Sequence, residues 1–344
     1  MLGFSDGWPS LSMLDCALMR PLLLLAVSLA SSACGLFYPP TGDEADGGDD
    51  GDDGIMVEEV YVAVGDGGTL LSSPDGATWT RRTVGTDLTL HDVAFGGDRY
   101  VAVGQAGKIL ESIDGAVWRV ASSPSSRDLH AVVHHFDHFV AVGGDYSVGA
   151  ETLESIDGIT WTRPAGVAPL HLLTDLASDG VSLVAIGNYQ SDTQTFGAFR
   201  WVEGVGWEQT VDGGLANFGF NTVASGAPAF AMIGLGNAVT SVDGVNWSFA
   251  PVFQSSAMRA LTFAGAGWIA VGDAGQVLLS PEAAQWTPYA TGVAVDLAGV
   301  ASDGSLHIAV GGAGTILASG DGVTWIAQAS GATENLHAVM HPRG

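Results

Sequence analysis

A seven-residue motif, Ser-x-Asp-Gly-x-x-Trp, recurs along most of the chain and constrains its fold more than any other feature. Five copies keep the full pattern and begin at Ser73, Ser112, Ser155, Ser241 and Ser319. Two weaker copies end at Trp207 and Trp286. The seven tryptophans follow one another at intervals of 39, 43, 46, 40, 39 and 39 residues. A regular period of this length is typical of folds that stack one supersecondary unit many times.

Each period also contains four short runs of β-forming residues, which we call strands A to D, separated by turns. In the second period they are Leu90–Phe95, Tyr100–Gly104, Lys108–Ser112 and Trp118–Ser122. Strand B is apolar at almost every position, as expected for a strand whose two sheet faces are both covered. We therefore predict one four-stranded antiparallel sheet per period. The fold class that follows is all-β, a seven-bladed β-propeller over residues 57–344.

The two ends of the repeat region predict how the ring closes. The first strand B, Val60–Gly65, has no strand A before it, whereas the last period is followed by an extra strand A, Leu336–His341. We expect this C-terminal strand to complete blade 1. Pairing of this kind covers both free sheet edges.

The first 56 residues have the composition of a targeting segment and a spacer. The apolar run Pro21–Ala33 is too short to span a bilayer but fits the core of a signal peptide, and Cys34 follows it. This resembles a bacterial lipoprotein signal, which implies that Cys34 carries lipid; an ordinary cleaved signal is the alternative. We expect a signal peptide at 1–33, with translation starting at Met19 or Met13, and an acidic tether at 34–56.

Charge excludes some partners. Lys and Arg total 11 against 37 Asp and Glu, a net charge of −26. Binding to nucleic acid or to anionic lipid needs clustered cations, so we expect no nucleic acid partner and membrane contact only through a lipid anchor. Two cysteines are too few for a disulfide framework or a Cys-based zinc site. We expect no cofactor, no bound metal and a monomer in the bacterial cell envelope.

The boxes and the Val-Ala-Val-Gly strands resemble Asp-box (BNR-type) β-propellers, a group that includes sialidase-like, sortilin-like and photosystem II assembly factor-like proteins. The pattern is most similar to the last of these, and the group contains hydrolases, receptors and assembly factors. The resemblance implies that the boxes lie on the face opposite the ligand site. It also implies that five box carboxylates are turn residues: Asp75, Asp114, Asp157, Asp243 and Asp321.

Alignment of the repeats on the strand B glycine defines a candidate binding column at the start of strand A. Its polar members are His91, His130, Thr174, Asn221, Arg259 and, on the C-terminal strand, His337. We expect the column to ring one mouth of the central channel. The three histidines would then lie on consecutive blades. Neutral imidazoles that charge near pH 6–7 could there bind a transition metal or an anionic ligand, or could hydrogen-bond only to channel water and backbone. The His-rich turn at 134–138 is expected at the other face.

Longer B–C connections in two blades mark the same mouth. Blades 3 and 4 carry four to six extra residues there, Gly143–Glu151 and Gly187–Phe199. Tyr146, Tyr189 and Asp192 would project beside the column, and added length on a regular repeat often marks the binding face.

Two functions follow from these observations. We expect a non-catalytic module that binds a protein or glycan partner and helps to assemble a complex. The alternative is a secreted carbohydrate-active hydrolase or lyase. Two facing carboxylates in the channel mouth would favour the alternative, whereas a tyrosine-rich face would favour binding.

Overall fold

The computed structural model describes residues 59–166, 171–189, 192–211, 219–226, 229–252 and 256–342. The predicted signal peptide, the lipidation site Cys34 and the acidic tether lie outside the described residues. Twenty-seven β-strands form seven antiparallel sheets. No helix among the described residues is long and apolar enough to cross a membrane.

The strand bounds follow the predicted period closely. Blade 1 contains β1 (Tyr61–Gly65), β2 (Leu70–Ser73), β3 (Thr80–Arg81) and the C-terminal β27 (Leu336–Met340). Blade 2 contains β4 (Leu90–Gly96), β5 (Arg99–Gly104), β6 (Ile109–Ser112) and β7 (Arg119–Val120). Blade 3 contains β8 (Leu129–His135), β9 (His138–Asp145) and β10 (Gly149–Ser155). Blade 4 contains β11 (His171–Ser178), β12 (Leu183–Tyr189), β13 (Asp192–Val202) and β14 (Gly206–Val211).

The remaining blades repeat the same order. Blade 5 contains β15 (Phe220–Gly226), β16 (Ala229–Gly234), β17 (Asn237–Ser241) and β18 (Ser248–Pro251). Blade 6 contains β19 (Met258–Phe263), β20 (Trp268–Gly272), β21 (Gln276–Ser280) and β22 (Thr287–Ala290). Blade 7 contains β23 (Leu297–Ser302), β24 (His307–Gly311), β25 (Ile316–Ser319) and β26 (Ile326–Gln328).

The innermost strands of the seven blades contact one another in ring order, from β27 through β4, β8, β11, β15, β19 and β23 back to β27. β27 pairs antiparallel with β1, with Val62 opposite Met340 and Val64 opposite Ala338. The predicted seven-bladed propeller and its closure by the C-terminal strand are therefore confirmed.

The core lies between neighbouring blades rather than within any one of them. Seven clusters of buried side chains each join two adjacent blades. The box tryptophan of every blade packs into the cluster shared with the preceding blade, as Trp161 of blade 3 does beside Val101 of blade 2. A large aromatic plate at each blade boundary removes much apolar area from water.

Each complete box is a rigid turn held by its aspartate. In blade 2, Asp114 Oδ1 accepts hydrogen bonds from the backbone N–H groups of Ala116 and Val117 at 2.8 Å. Ser112 Oγ accepts from Gly115 N at 2.9 Å, and Trp118 Nε1 donates to the Gly115 carbonyl at 3.1 Å. In blade 1 the equivalent N–H bonds lower the pKa of Asp75 to about 2.

Two details differ from the sequence expectation. The outer strand of blade 3 is reduced to a single bridge, in which Glu154 and Thr162 exchange two backbone hydrogen bonds of 2.9 Å. The long B–C connections of blades 3 and 4 are extended β-hairpins rather than loops, because their extra residues continue the ladder beyond the ring. Gly149 pairs with Asp145 in blade 3, and Tyr189 pairs with Asp192 in blade 4.

The weak box of blade 6 gives a stability prediction. Ala283 stands where the other boxes have Gly, and its φ is 57°. Ser280 Oγ has no hydrogen-bond partner, whereas the equivalent serine of a complete box, such as Ser112, donates to the box aspartate. We expect Glu282→Asp/Ala283→Gly to raise the free energy of unfolding by about 1–2 kcal/mol, through relief of left-handed strain and a restored side-chain bond. Chemical denaturation measures the change. Ala284→Gly is the control and should be neutral or destabilising; equal behaviour of the two variants would contradict the assignment.

Candidate functional site

The strand register separates the two faces of the ring. In blade 2, Leu90 at the start of strand A pairs with Gly104 at the end of strand B, so the A strands start where the B–C connections turn. Ser112 of the box pairs with Tyr100 at the opposite end of strand B. We call the first end, which carries the column residues, the mouth face, and the second end the box face. A central channel of about 410 Å³ is lined by residues of the A strands.

The three column histidines lie close together on the mouth face. The rings of His91 and His130 stack with centroids 5.2 Å apart, and those of His91 and His337 meet edge-on at 6.3 Å. The His91 Nδ1–H group donates to the Leu129 carbonyl of blade 3 at 2.9 Å. Among the described residues, no three His, Cys, Asp or Glu side chains form a group that could hold a metal ion.

His130 differs from the other two histidines. Burial, followed by the neighbouring His91, lowers the pKa of its imidazole to about 4. The expectation that all three rings charge near pH 6–7 is therefore wrong for His130. Its ring stays neutral at physiological pH and faces the channel as a polar but uncharged group.

His337 helps to fasten the ring. Its Nε2–H group donates to Asp66 Oδ1 at 2.7 Å, and Asn335 Nδ2 donates to Asp66 Oδ2 at 3.0 Å. The hydrogen bond from His337 is the largest cause of the lowered pKa of Asp66. Asp66 lies in the first B–C turn, so these bonds tie the C-terminal strand to the start of the propeller.

Asn221 and Arg259 also join neighbouring blades. Asn221 Nδ2 donates to the Met258 carbonyl of blade 6 at 2.9 Å. Arg259 binds Asp273 of its own blade through Nε at 2.5 Å and Asp296 of blade 7 through Nη2 at 3.2 Å. Most of the predicted column therefore has structural partners, and half of the Arg259 side chain remains exposed.

The hairpin of blade 3 rises on the mouth face and ends in a defined turn. Asp145 Oδ1 accepts from Ser147 N at 2.8 Å and Val148 N at 2.9 Å. The turn leaves Tyr146 and Val148 exposed, at 45% and 56%. Tyr189 and Asp192 lie at the matching end of the blade 4 hairpin by backbone register, and their side chains are outside the described residues.

The five box aspartates lie at the box-face ends of the strands, and each accepts turn hydrogen bonds. The bonds of Asp157, Asp243 and Asp321 match those of Asp75 and Asp114. The His-rich turn is also on this face, where His135 Nδ1 contacts Ser178 Oγ at 2.8 Å and His138 contacts Asp137 at 3.0 Å.

Two carboxylates inside the channel, Asp92 and Asp175, were not among the site residues predicted from the sequence. Asp92 accepts from Val93 N and, across the blade boundary, from Val132 N, both at 2.8 Å. Asp175 accepts in the same way from Leu176 N and from Val223 N of blade 5 at 2.8 Å. Burial raises the pKa of Asp92 to about 7 and that of Asp175 to about 6. The sequence did contain a signal for these two carboxylates, because each follows the column residue of its A strand directly.

These raised pKa values predict a pH-dependent stability. In the unfolded chain the two carboxyl groups lose their protons near pH 4, whereas in the folded protein they lose them only near pH 6–7. The stability that the two groups contribute is therefore present at low pH and is lost as the pH rises from about 4 to about 7. We expect Asp92→Ala/Asp175→Ala to destabilise the protein more at pH 4.5 than at pH 8. The difference should be about 5 kcal/mol, since each pH unit over which a folded carboxyl group stays protonated contributes about 1.4 kcal/mol.

Denaturant titrations of parent and variant at both pH values measure this difference. The other titrating groups are present in both chains, so their contributions cancel to first order. Alanine already occupies the equivalent position in blades 3 and 6, as Ala131 and Ala260, so the replacement fits the ring. A difference in stability that does not change with pH would contradict the assignment.

The closed ring of seven sheets around an open channel defines the chain as a β-propeller of seven blades. No protein-family model matches the sequence, and no curated protein matches it. Among solved structures, "YCF48 bound to D1 peptide" superposes with a TM-score of 0.60 at 18% identity, covering 78% of this chain and 89% of that one.

Two further structures share the fold. YCF48 from Cyanidioschyzon merolae has a TM-score of 0.55 at 18% identity, covering 76% of this chain and 92% of that one. A chain of the nidogen/laminin complex has a TM-score of 0.53 at 8% identity, covering 83% of this chain and 98% of that one. At these identities the comparisons establish the propeller fold alone.

Proposed function

We propose that this chain is a non-catalytic propeller lipoprotein of the bacterial cell envelope that binds a protein partner on its mouth face. The observation that carries the proposal is the hairpin of blade 3, which holds Tyr146 and Val148 exposed beside the channel mouth. The ring does not need this extension, because the other blades with a described B–C turn close it within a few residues. Exposed tyrosine on a rigid turn is a favoured contact for protein partners.

The rigidity of the hairpin tip supports binding. Asp145 holds two N–H groups of the turn and also lies 3.9 Å from Arg127. Arg127 Nη1 lies 3.2 Å from Oε2 of the buried Glu151, and this ion pair holds the base of the hairpin. A preorganised contact surface loses little conformational entropy when a partner binds, so more of the contact energy contributes to affinity.

The similar structures are compatible with a protein partner. One is YCF48 bound to D1 peptide, and another comes from the nidogen/laminin complex. The first has a bound peptide, and the second is part of a complex of two proteins. We extend that class of partner to this chain and favour it over a glycan.

The hydrolase or lyase alternative has one observation in its favour, the two channel carboxylates with raised pKa values. Each carboxylate uses both oxygens to accept backbone N–H groups, which ties adjacent blades together. A group committed in this way is poorly placed to donate a proton to a glycosidic oxygen. We therefore assign Asp92 and Asp175 to the structure of the ring.

The test removes the mouth hairpins and keeps the ring. In blade 3, residues 144–150 are replaced by Gln-Ala-Gly, the turn of blade 2, so that the buried Glu151 is retained. In blade 4, residues 188–197 are replaced by Gln-Ala-Gly-Lys. The blade 4 change also removes the buried Phe196 from the cluster that blades 4 and 5 share. We expect the ring to stay folded but to melt at a lower temperature, because a buried aromatic side chain is lost. Capture of a partner from detergent-solubilised envelope should fall at least tenfold, and the blade 3 change alone should lower capture as far, with only a few degrees lost in melting temperature.

Two comparisons make the result specific. Tyr146→Ser/Val148→Ser should reproduce the loss of capture without any change in the backbone, and Ile326→Ser on the outer strand of blade 7 should not. His91→Ala/His130→Ala, measured from pH 5.5 to 8, tests the column, in which His130 stays neutral because its pKa is low. Identical captured proteins for parent and hairpin variants would overturn the mouth as the binding face.

A further inference from the structure

The box face carries an uneven set of exposed apolar side chains. They lie in the turns of four consecutive blades, 2 to 5, and are between 51% and 85% exposed: Ile113, Phe136, Ile156, Val181, Val205 and Val242. We call these six residues the box-face crescent. Solvent contact with apolar side chains on one face is unfavourable, and a large contiguous set usually marks an interaction surface.

The crescent is not a by-product of the repeat. The second box position is Ile113, Ile156 and Val242 in blades 2, 3 and 5, but it is Pro or Gly in blades 1, 6 and 7. The turns form in both groups with the same aspartate bonds, so the turn itself does not require an apolar residue there. Exposed Ile and Val side chains at the second box position are thus confined to blades 2, 3 and 5, and the less exposed Val323 of the blade 7 box stands at a different box position.

The turns present these side chains rigidly. Ile156 lies directly before Asp157, whose Oδ1 holds Ile159 N and Thr160 N at 2.8 Å. Val242 lies before Asp243, which holds Val245 N at 2.9 Å. A partner would therefore meet a surface that is already ordered.

Charge selects the kind of partner. Among the described turn residues of this face in blades 2–5 there are seven carboxylates and no lysine or arginine. Asp114, Asp157 and Asp243 alternate with the crescent residues along the chain. Like charge opposes a second copy of this face and an anionic bilayer.

We propose that the box-face crescent is a second docking surface, for a partner protein whose contact patch combines apolar side chains with surrounding lysine or arginine. Apolar burial supplies affinity, and the carboxylates orient the partner and accelerate its approach. The surface is independent of the mouth and of the lipid anchor. One ring could then hold two proteins at once, which suits an assembly function.

The test uses the chain from residue 34 onward with Cys34→Ser, which keeps the whole described ring. The crescent variant is Ile113→Ser/Phe136→Ser/Ile156→Ser/Val242→Ser, and the control is Tyr146→Ser/Val148→Ser on the mouth. All six side chains are exposed, so both variants should melt close to the parent. The probes are three 18-residue peptides of helical pattern, one of Leu and Lys, one of Ser and Lys with the same charge, and one of Leu and Glu.

We expect the Leu/Lys peptide to bind the parent at least tenfold more tightly than either other peptide, by fluorescence anisotropy. The crescent variant should lose that preference, and the mouth variant should keep it. Binding of the Leu/Lys peptide to the crescent variant within twofold of the parent would overturn the proposal. So would equal affinity of the Ser/Lys peptide, because the apolar side chains would then take no part.

Two further measurements separate the other occupants. Sedimentation equilibrium tests a second copy, and flotation with phosphatidylcholine or phosphatidylglycerol vesicles tests a lipid surface. Self-association or vesicle binding that the crescent variant abolishes would reassign the surface and contradict a protein partner. A monomer that binds neither type of vesicle supports the assignment when the peptide preference is present.

Discussion

Deletion of residues 336–344 is expected to unfold the propeller or to lower its free energy of unfolding by at least about 5 kcal/mol. The segment contains β27, the innermost strand of blade 1. Its deletion therefore removes the fully buried Leu336 and the buried Val339. Burial of one such side chain contributes about 1.5–3 kcal/mol. The loss also exposes the inner edge of β1 and opens the clusters that blade 1 shares with both neighbours. A total of this size approaches the whole stability of an ordinary domain.

Thermal and denaturant unfolding measure the effect, and three controls define it. Removal of residues 1–58 should leave the melting temperature nearly unchanged. His337→Ala removes the bond to Asp66 but keeps the strand, so it should cost only about 1 kcal/mol. A synthetic peptide of residues 336–344 added to the truncated chain should restore part of the lost stability. If the truncated protein melts within a few degrees of the parent, closure by β27 is not what holds the ring together.

Cys34→Ser is expected to move most of the protein from the membrane fraction to the soluble fraction, a change of roughly tenfold in their ratio. Stable attachment by lipid requires more than one acyl chain, so loss of the residue proposed to carry the lipid removes the whole anchor. Residues 41–54 hold seven acids and offer no electrostatic attachment to anionic lipid. Fractionation of cells that express each variant measures the ratio.

Cys16→Ser is the matched control, because it is the other cysteine of the chain and lies before the apolar run. It should leave the distribution unchanged. Membrane association that survives Cys34→Ser would contradict the lipoprotein proposal and favour an ordinary cleaved signal with another mode of attachment. The binding tests on the mouth and the box face do not depend on this result, since the residues that they change all lie in the ring.

The binding column shows which features of a site a repeat pattern can predict and which it cannot. Its place at the mouth follows from the register of strands A and B, which the periodic glycines reveal. The partners of its side chains do not follow from the sequence. His91 reaches a carbonyl 38 residues away, Asn221 reaches one 37 residues away, and His337 meets Asp66 across 271 residues. The first two bonds cross a blade boundary whose geometry is set by the curvature of the closed ring, and the third joins the C-terminal strand to the first B–C turn within blade 1.

The channel carboxylates show the same limit in another form. Asp92 and Asp175 are visible in the sequence as acids inside two apolar strands, but their raised pKa values arise from burial that exists only once seven A strands surround the channel. The lowered pKa of His130 has the same origin. The pKa of a side chain depends on how much water its surroundings exclude, and no local pattern records that.

The sequence by itself determined the number of blades, the four-stranded repeat, the rigid box turns and the closure by the C-terminal strand. These features depend on the spacing of the motifs, on turn chemistry, and on the missing strand A of the first repeat and the extra strand A after the last, all of which can be read from the sequence. The tertiary structure alone decided which side chains meet across blade boundaries, which acids are buried in the channel and which turns expose their apolar residues. Those properties depend on contacts between residues tens to hundreds of positions apart, and only the closed ring brings such residues together.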